Sequence, residues 1–453
     1  MIQRMSAIMP VRTAVRELPL ALRLLIVAQT ASVFLTDTRF LPVKHNVGAF
    51  EVVAALISIS TLIYFVTKNI PVRFHRVMLP LFLLVIAALL SSYKLMTAVP
   101  ERQAFSLLSI VILMVSSVVL LVWYNLLLVR ERNLDLFLRA LTYAAAVAAV
   151  WVLMDSIASG GNISAAGPFK SRSHAGIYMH TAFWLVLVRA NWPRGSRWER
   201  VVTYPILAIL LYTISASGRR SVFFALAVGL LVLALGMFVS SAKAGRRVAM
   251  FVITSVGVLA GVYFIVSDFW EPAAFFKTRV GMVDERLNAF TATSVEDTDI
   301  DFVVLQRQGG VRAFKENPIL GIGYGGFWES EYSEGHEMHS TPMRFVAELG
   351  IIGVLLYAWF TIEAIAAAYR AWRANMRGPY EAVSLILLVA LVSLTVSYGY
   401  NRQMTDRTFW LLLPFAIAFE TWSLRRRQGS RVPRLVKWRQ PARVARTSAR
   451  PIP

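Results

Sequence analysis

The sequence contains no cysteine and only six histidines, and its 26 acidic residues are outnumbered by 47 basic ones. Without cysteine, the chain forms no disulfide, no thiolate metal site and no cysteine nucleophile, and its redox compartment is left open. A formal charge of +21 is compatible with a nucleic-acid partner. The same excess is expected of a membrane protein whose basic residues lie mainly on one side.

Charged residues are few for a soluble chain, whereas apolar runs are frequent. Hydrophobic residues make up 57% of the sequence and the mean hydropathy is +0.58. Runs of about 17–25 apolar residues recur, each long enough to cross a hydrocarbon core of about 30 Å. The sequence therefore predicts an all-α integral membrane protein with about 12 transmembrane helices in one body. The predicted spans are 18–36, 49–67, 77–93, 105–129, 137–157, 175–190, 201–216, 221–240, 248–267, 343–369, 381–398 and 408–424.

The basic residues divide unevenly between the two sides of these spans. With the N-terminus inside, 30 of the 47 lysines and arginines fall on the cytoplasmic side and 17 on the outer side. This bias predicts that both termini are cytoplasmic. Residues 1–17 then form an uncleaved N-terminal arm, 18–424 the polytopic membrane domain, and 425–453 a basic tail that contacts anionic membrane lipids. We predict no nucleic-acid partner.

The largest predicted outer segment, 268–341, lies between the ninth and tenth spans. External loops of this length are more often functional than not. It contains the acidic stretch SVEDTDID and one amphipathic helix candidate, VVLQRQGGVRAFKENP, which ends at Pro318.

Basic residues on the outer side need a reason, because the charge bias disfavours them there. Arg219 and Arg220 stand where the eighth span begins, and a bound anion would reverse the unfavourable effect of a cation at a helix N-terminus. Several separate outer loops contribute further cations, which together predict a site for a phosphate or diphosphate. Those cations are Lys170, Arg172, His174, Lys277, Arg279, Arg286, Arg307, Arg312, Lys315, Arg344, Arg402 and Arg407.

The stretch GHEMHSTPMRFVAELGIIG joins this outer segment to the tenth span. His339 lies just before the span and Glu348 about two and a half helical turns later. A neutral imidazole there can accept a proton from a hydroxyl, since its unperturbed pKa is about 6.5. A metal site at His336 and His339 is the alternative, but HEMH is not HExxH and a third ligand must come from elsewhere. Upstream, GIGYGG matches the pattern GxGxxG, but it does not follow a predicted strand, as a dinucleotide-binding site requires. We predict instead that this segment is a turn that brings Phe327 and Trp328 to the membrane face.

Three of these segments resemble the bacterial O-antigen ligase and polymerase family, which includes exopolysaccharide repeat-unit polymerases. The segments are ENPILGIGYGGFW followed by a histidine and FVAELGIIGVLLY, then GRR at 218–220, and GPFKSRSHAGIYM. The family histidine falls on His339 and its glutamate on Glu348, while either Arg219 or Arg220 fits the family arginine. Ser340 replaces the asparagine usual after the histidine, and Arg307 lies about one turn beyond the usual arginine of the pre-proline helix.

The resemblance implies a GT-C-like, metal-independent, inverting glycosyltransferase without a cofactor, which faces the periplasm from the inner membrane. The donor it implies is an oligosaccharide on undecaprenyl diphosphate, and the acceptor is either another glycan or lipid A core. His339, Arg219 and Arg220 would be catalytic. The substrate-binding candidates are Arg307, Arg172, His174, Lys170, Arg279, Arg286, Arg344 and Glu348.

Several alternatives remain open at the level of the sequence. GYGGFW favours a polymerase over a ligase, and a chain-length regulator is a candidate partner of a polymerase. A transporter of lipid-linked sugars or polysaccharide also often has about twelve spans, but it would usually show repeat symmetry and midplane charges. A non-enzymatic envelope scaffold is the third class.

Overall fold

The computed structural model describes residues 18–34, 49–98, 103–158, 167–169, 172–217, 220–239, 298–328, 330–333, 338, 340–399 and 406–431. Within these ranges every regular element is a helix. The helices are α1 Leu20–Ser32, α2 Ala49–Thr67, α3 Met78–Ala98, α4 Gln103–Leu128, α5 Glu131–Ala158, α6 Arg172–Ala190, α7 Arg197–Ala216, α8 Arg220–Val239, α9 Thr298–Glu316, α10 Thr341–Asn375, α11 Glu381–Tyr398 and α12 Phe409–Arg431.

Five of the described helices contain segments long and apolar enough to cross a membrane. The segments are Phe50–Thr67, Ser106–Leu128, Glu131–Ala158, Thr341–Asn375 and Glu381–Tyr398. Shorter apolar segments lie in α1, α3 and α8. This pattern fits the predicted helical integral membrane protein. It establishes neither the count of 12 spans nor the GT-C fold, and the predicted span 248–267 lies outside the described residues.

The predicted amphipathic helix before Pro318 is confirmed as the C-terminal part of α9. It packs along α10, which itself contacts α3, α11 and α12. Among the described helices α6 is the most enclosed, with every side chain from 175 to 190 buried. The largely buried α11 has α6, α8 and α10 as neighbours. On α8, Gly229 lies so close to α6 that an added Cβ would be 2.6 Å from the Trp184 ring. Small residues at such contacts allow helices in membranes to approach closely.

At one end of the bundle, ion pairs join helices that are distant in sequence. Arg189 of α6 is buried and donates to Asp135 (2.8 Å) and Glu199 (2.7 Å). Buried Glu420 of α12 contacts both His75 and Arg370. These residues lie in the segments that the charge bias assigns to the cytoplasmic side, so those segments do gather at one end.

Candidate functional site: a broken helix and a glycine turn

Near its N-terminus, α10 is broken at Gly350. This residue has φ 60° and ψ −153°, a combination that is essentially restricted to glycine. A Cβ atom at this position would lie 2.6 Å from the carbonyl oxygens of both Pro318 and Ile319. The break exposes backbone groups of α10 that helix hydrogen bonds would otherwise satisfy, and buried groups of this kind need other partners.

Residues 318–326, which we call the glycine turn, supply those partners. Four backbone hydrogen bonds join the turn to α10: Ile351 to Pro318 (2.9 Å), Ile352 to Ile319 (3.4 Å), Ile322 to Ala347 (3.1 Å) and Gly323 to Glu348 (3.1 Å), each given as N–H donor to carbonyl acceptor. The glycine turn therefore docks into the break as an extension of the helix backbone.

Alternate glycines make this docking possible. Gly321, Gly323 and Gly325 have φ values of 67°, 106° and 80°, in the region that side chains disfavour. GIGYGG is thus a turn, as predicted. The prediction that it brings Phe327 to the membrane face is wrong, because Phe327 is 1% exposed, whereas Trp328 is 42% exposed. Phe327 packs instead against Ala347 and the other side chains of a small apolar cluster.

Glu348 holds the glycine turn through its side chain as well as its backbone. Its buried carboxylate accepts the Gly325 N–H (2.8 Å) and the Arg344 Nε–H (2.8 Å). The Arg344 guanidinium also donates to Ser109 (3.3 Å) and lies 5.0 Å from the centre of the Tyr324 ring. The two predicted substrate-binding residues Arg344 and Glu348 therefore bind each other, and their contact with substrate stays a prediction.

Serines of α3 and α4 tie the glycine turn to the rest of the bundle. Ser91 donates to the carbonyls of Leu320 (2.6 Å) and Glu348 (2.9 Å), and Ser106 donates to the carbonyl of Tyr324 (2.7 Å). Burial raises the pKa of the Tyr324 phenol to about 12, so it stays protonated at neutral pH. Hydrogen bonds with α3, α4 and α10 therefore hold the glycine turn in place.

The residues on either side of His339 are both anchored. Met338 is 4% exposed and packs in the small apolar cluster with Ala313 of α9 and Phe327. Ser340 is the N-cap of α10, and its hydroxyl accepts the Met343 N–H at 3.5 Å. Serine and asparagine both suit an N-cap, so the serine that departs from the family pattern keeps that structural role. His339 itself lies outside the described residues.

Arg307 stands exposed on α9, one helical turn before the contact with Met338. That contact is made at Gly310, where an added Cβ would be 2.8 Å from the Met338 terminal carbon. Among the described residues, no carboxylate lies within 4.0 Å of the Arg307 side chain. By contrast, Arg312 donates to the Glu331 carbonyl (3.1 Å) and lies over the Tyr332 ring.

Another predicted outward cation is paired with a carboxylate of a different helix. Arg407, one of the predicted outward cations, pairs with Glu51 of α2 at 2.6 Å. The adjacent Asp406 is buried and accepts hydrogen bonds from Tyr398 and Thr408. Burial raises the pKa of Asp406. The ion pair between Arg407 and Glu51 links α2 to the start of α12.

The remaining predicted site residues are described only in part. Arg172 and Arg220 begin α6 and α8, and His174 is exposed in the first turn of α6. Those outside the described residues are Lys170, Arg219, Arg279, Arg286, His336 and His339. No group of three or more histidine, aspartate or glutamate side chains with metal geometry occurs in the described part, and the HEMH segment lies outside it.

Two features of the site do not follow from our sequence analysis. The helix break at Gly350 was not predicted, although glycine directly after Glu-Leu at the end of the first helical segment is a signal for it. Ser91 and Ser106 were also missed. The only sequence feature that marks these two serines is that they are polar residues within apolar runs. Serine in such runs most often forms a hydrogen bond to the backbone of its own helix.

The sequence that forms this site is similar to that of known proteins. Residues 205–358 match the family model described as O-antigen ligase. This interval includes Arg219, Arg220, α9, the glycine turn and His339. The chain is also 24% identical over 306 residues to the exopolysaccharide production protein ExoQ of Rhizobium meliloti (strain 1021). The match covers 60% of this chain and 65% of that relative, so the chain spans less than two thirds of the relative's length.

Proposed function

We propose that the chain is a glycosyltransferase of the bacterial O-antigen ligase and polymerase family and that it polymerises glycan repeat units. The matches to the family model and to the exopolysaccharide production protein support this family. The donor is an oligosaccharide linked to undecaprenyl diphosphate, and the acceptor is a sugar hydroxyl of another lipid-linked glycan. The active site faces the periplasm at the inner membrane. No metal or cofactor takes part in the proposed reaction.

The observation that carries this proposal is the docking of the glycine turn into α10. Residues 338 and 340 are anchored on both sides of His339, at the entry of a long apolar helix. A general base must be held within hydrogen-bond reach of the proton it removes, and fixed residues on both sides of it help to hold it there. The same small apolar cluster joins Met338 to α9, the helix that carries Arg307.

In the proposed reaction, the acceptor hydroxyl attacks the anomeric carbon of the donor sugar. The imidazole of His339 takes the hydroxyl proton, and the bond from the anomeric carbon to the diphosphate oxygen breaks. Arg219 or Arg220, with Arg307, stabilises the negative charge of the departing lipid diphosphate through charge-assisted hydrogen bonds. Attack opposite the leaving group inverts the anomeric centre.

The decisive experiment is reconstitution of the purified chain in liposomes with a lipid-linked repeat unit, with and without lipid A core. A ladder of longer lipid-linked glycans without lipid A core supports a polymerase. Retained turnover without an ion gradient or partner protein also separates the enzyme from a transporter or scaffold. If no glycan product forms in either arm, the proposed function is wrong.

The second candidate is an O-antigen ligase that joins the glycan to lipid A core. The observation that favours it is the description of the matched family model. The similarity to an exopolysaccharide production protein favours the polymerase. A single shifted product that forms only with lipid A core would establish the ligase.

The first mutational prediction concerns His339. We expect His339→Ala to insert and fold normally but to lose turnover by about 10²–10⁴-fold, the usual contribution of a general base. Turnover is measured in the liposome assay. His336→Ala, three residues away, is the matched control and should keep wild-type turnover. Unchanged turnover in His339→Ala would remove His339 from the mechanism.

A further inference from the structure

At the end of the bundle opposite the glycine turn, the connection from α10 to α11 borders a cavity of about 330 Å³. Its lining residues are Arg373, Ala374, Met376, Arg377 and Arg427. Three arginines from α10, the α10–α11 turn and α12 thus line one cavity, and none of its lining residues is acidic.

Arg373 and Arg377 differ from other arginines at the same end. Arg189, Arg194 and Arg370 each lie within 4.0 Å of at least one carboxylate. In the described part of the chain, no carboxylate is found within that distance of the Arg373 or Arg377 side chain. The nearby Glu381 carboxylate is buried and accepts the backbone N–H of Arg377 (2.8 Å). Positive charge is therefore concentrated around the cavity.

The backbone of Arg377 gives a second, independent observation. Arg377 has φ 62°, and Asn69 is the only other non-glycine residue with positive φ in the described ranges. Asparagine tolerates this region well, whereas arginine is uncommon there. Gly378, which would adopt that conformation without strain, comes one residue later. Arg377 follows the C-cap Met376, where helices commonly end with a residue of positive φ, so the arginine occupies a position that favours glycine.

An apolar stripe on α10 leads to the cavity. Leu355, Trp359, Ile362 and Tyr369 are all exposed, with fractions between 40% and 64%. Their spacing follows one face of the helix, and Arg373 continues the same face. At 1.5 Å per residue, the stripe runs about 27 Å from Leu355 to Arg373. A ligand with its charge in the cavity can therefore extend hydrocarbon along α10.

We propose that this cavity binds the phosphate headgroup of an anionic membrane phospholipid, with an acyl chain against the stripe on α10. Guanidinium groups bind phosphate oxygens through charge-assisted, often bidentate hydrogen bonds. Basic pockets between helix ends are a recurring form of lipid headgroup site. Free phosphate shares the charge but has nothing to place on the apolar stripe. The proposal does not depend on the proposed glycosyltransferase activity.

The test measures lipid binding to the purified, delipidated full chain by native mass spectrometry in detergent. Phosphatidylglycerol is the probe, and phosphatidylcholine and inorganic phosphate are the comparison ligands. We expect the double variant Arg373→Gln, Arg377→Gly to lose at least tenfold in affinity for phosphatidylglycerol. Glycine suits the φ of Arg377, so the second substitution should preserve the turn.

The matched control is Arg197→Gln with Arg200→Gln, two exposed arginines at the same end of the bundle. This variant loses the same charge and should keep wild-type affinity. Equal loss in both variants would show general charge attraction and overturn the site. Wild-type affinity in the cavity variant would overturn it too. Equally tight binding of inorganic phosphate would overturn the lipid as its ligand, and equally tight binding of phosphatidylcholine would overturn the preference for anionic lipid.

Discussion

At the residue scale, the buried pair of Glu348 and Arg344 connects the fold to the site. Both side chains are largely buried, at 3% and 15% exposure. Removing one member of a buried pair leaves the other charge without compensation, which typically costs about 3–5 kcal/mol. We expect Glu348→Gln to lower thermal stability markedly and to reduce turnover, because the glycine turn then loses a charged acceptor.

A double-mutant cycle tests this pair. Thermal unfolding in detergent is measured for Glu348→Gln, Arg344→Met and the double variant. If the pair acts as a unit, the double variant should be less destabilised than the sum of the two single changes. Additive effects would mean that the contact between the two side chains contributes little and that each acts through other neighbours.

Gly350 provides a second test at the residue scale. A Cβ there would meet two carbonyl oxygens at 2.6 Å, in a backbone conformation that other residues rarely adopt. We expect Gly350→Ala to release the glycine turn, abolish turnover and lower the yield of folded protein. Gly399→Ala is the control, since Gly399 has φ −55° and an added Cβ would lie 3.1 Å from the Val396 carbonyl oxygen. Normal turnover of Gly350→Ala would show that the break is dispensable.

At the element scale, apolar periodicity predicts helices well and their ends less well. The predicted spans 49–67 and 381–398 coincide with α2 and α11. By contrast, α5 begins at Glu131, six residues before the predicted start of its span. Toward the N-terminus of α5 the apolar run ends at Asp135, yet the helix extends past it to Glu131, and the Asp135 carboxylate pairs with Arg189 of α6. Partners so distant in sequence are not evident from one sequence. The pairing of Arg344 with Glu348 is different, because the two residues are four positions apart on α10, and this spacing is itself a sequence signal for an ion pair.

The start of α7 yields a prediction of pH dependence. Glu199 accepts the Ser196 N–H, while the Ser196 hydroxyl accepts the Glu199 N–H, a reciprocal capping arrangement. Burial alone would raise the pKa of Glu199, but these hydrogen bonds together with Arg189 and Arg139 hold it below its ordinary value of 4.5. The folded state therefore gains stability from the ionised carboxylate above this pH and loses it as the pH falls through the lowered pKa.

The measurement is the thermal midpoint of wild type and Glu199→Gln in detergent between about pH 7 and pH 3.5. Wild type should be the more stable protein at neutral pH, and the difference should shrink below pH 4.5. Glu331→Gln, at an exposed carboxylate, is the control and should show no such trend. A difference that is constant with pH would mean that Glu199 stabilises α7 by packing and not by its charge.

At the scale of the whole molecule, different helices carry the charges at the two ends of the bundle. One end joins its helices through carboxylate–arginine pairs such as Arg189 with Asp135 and Arg194 with Glu131. At the other end, the exposed cations Arg307 and Lys315 lie on α9 beside the glycine turn. The charge bias in the sequence predicts that the first end is cytoplasmic and the second periplasmic. The proposed reaction requires this orientation, because its donor is presented at the outer face.

The absence of native cysteine makes the orientation directly measurable. A single introduced cysteine is then the only thiol in the chain. Lys315→Cys and Arg197→Cys lie at exposed positions near opposite ends of the bundle. A membrane-impermeant maleimide should label Lys315→Cys in intact spheroplasts and Arg197→Cys only after permeabilisation, with no labelling of the cysteine-free wild type. The reverse pattern would place the glycine turn in the cytoplasm, and a reaction that uses periplasmic donors would then be excluded.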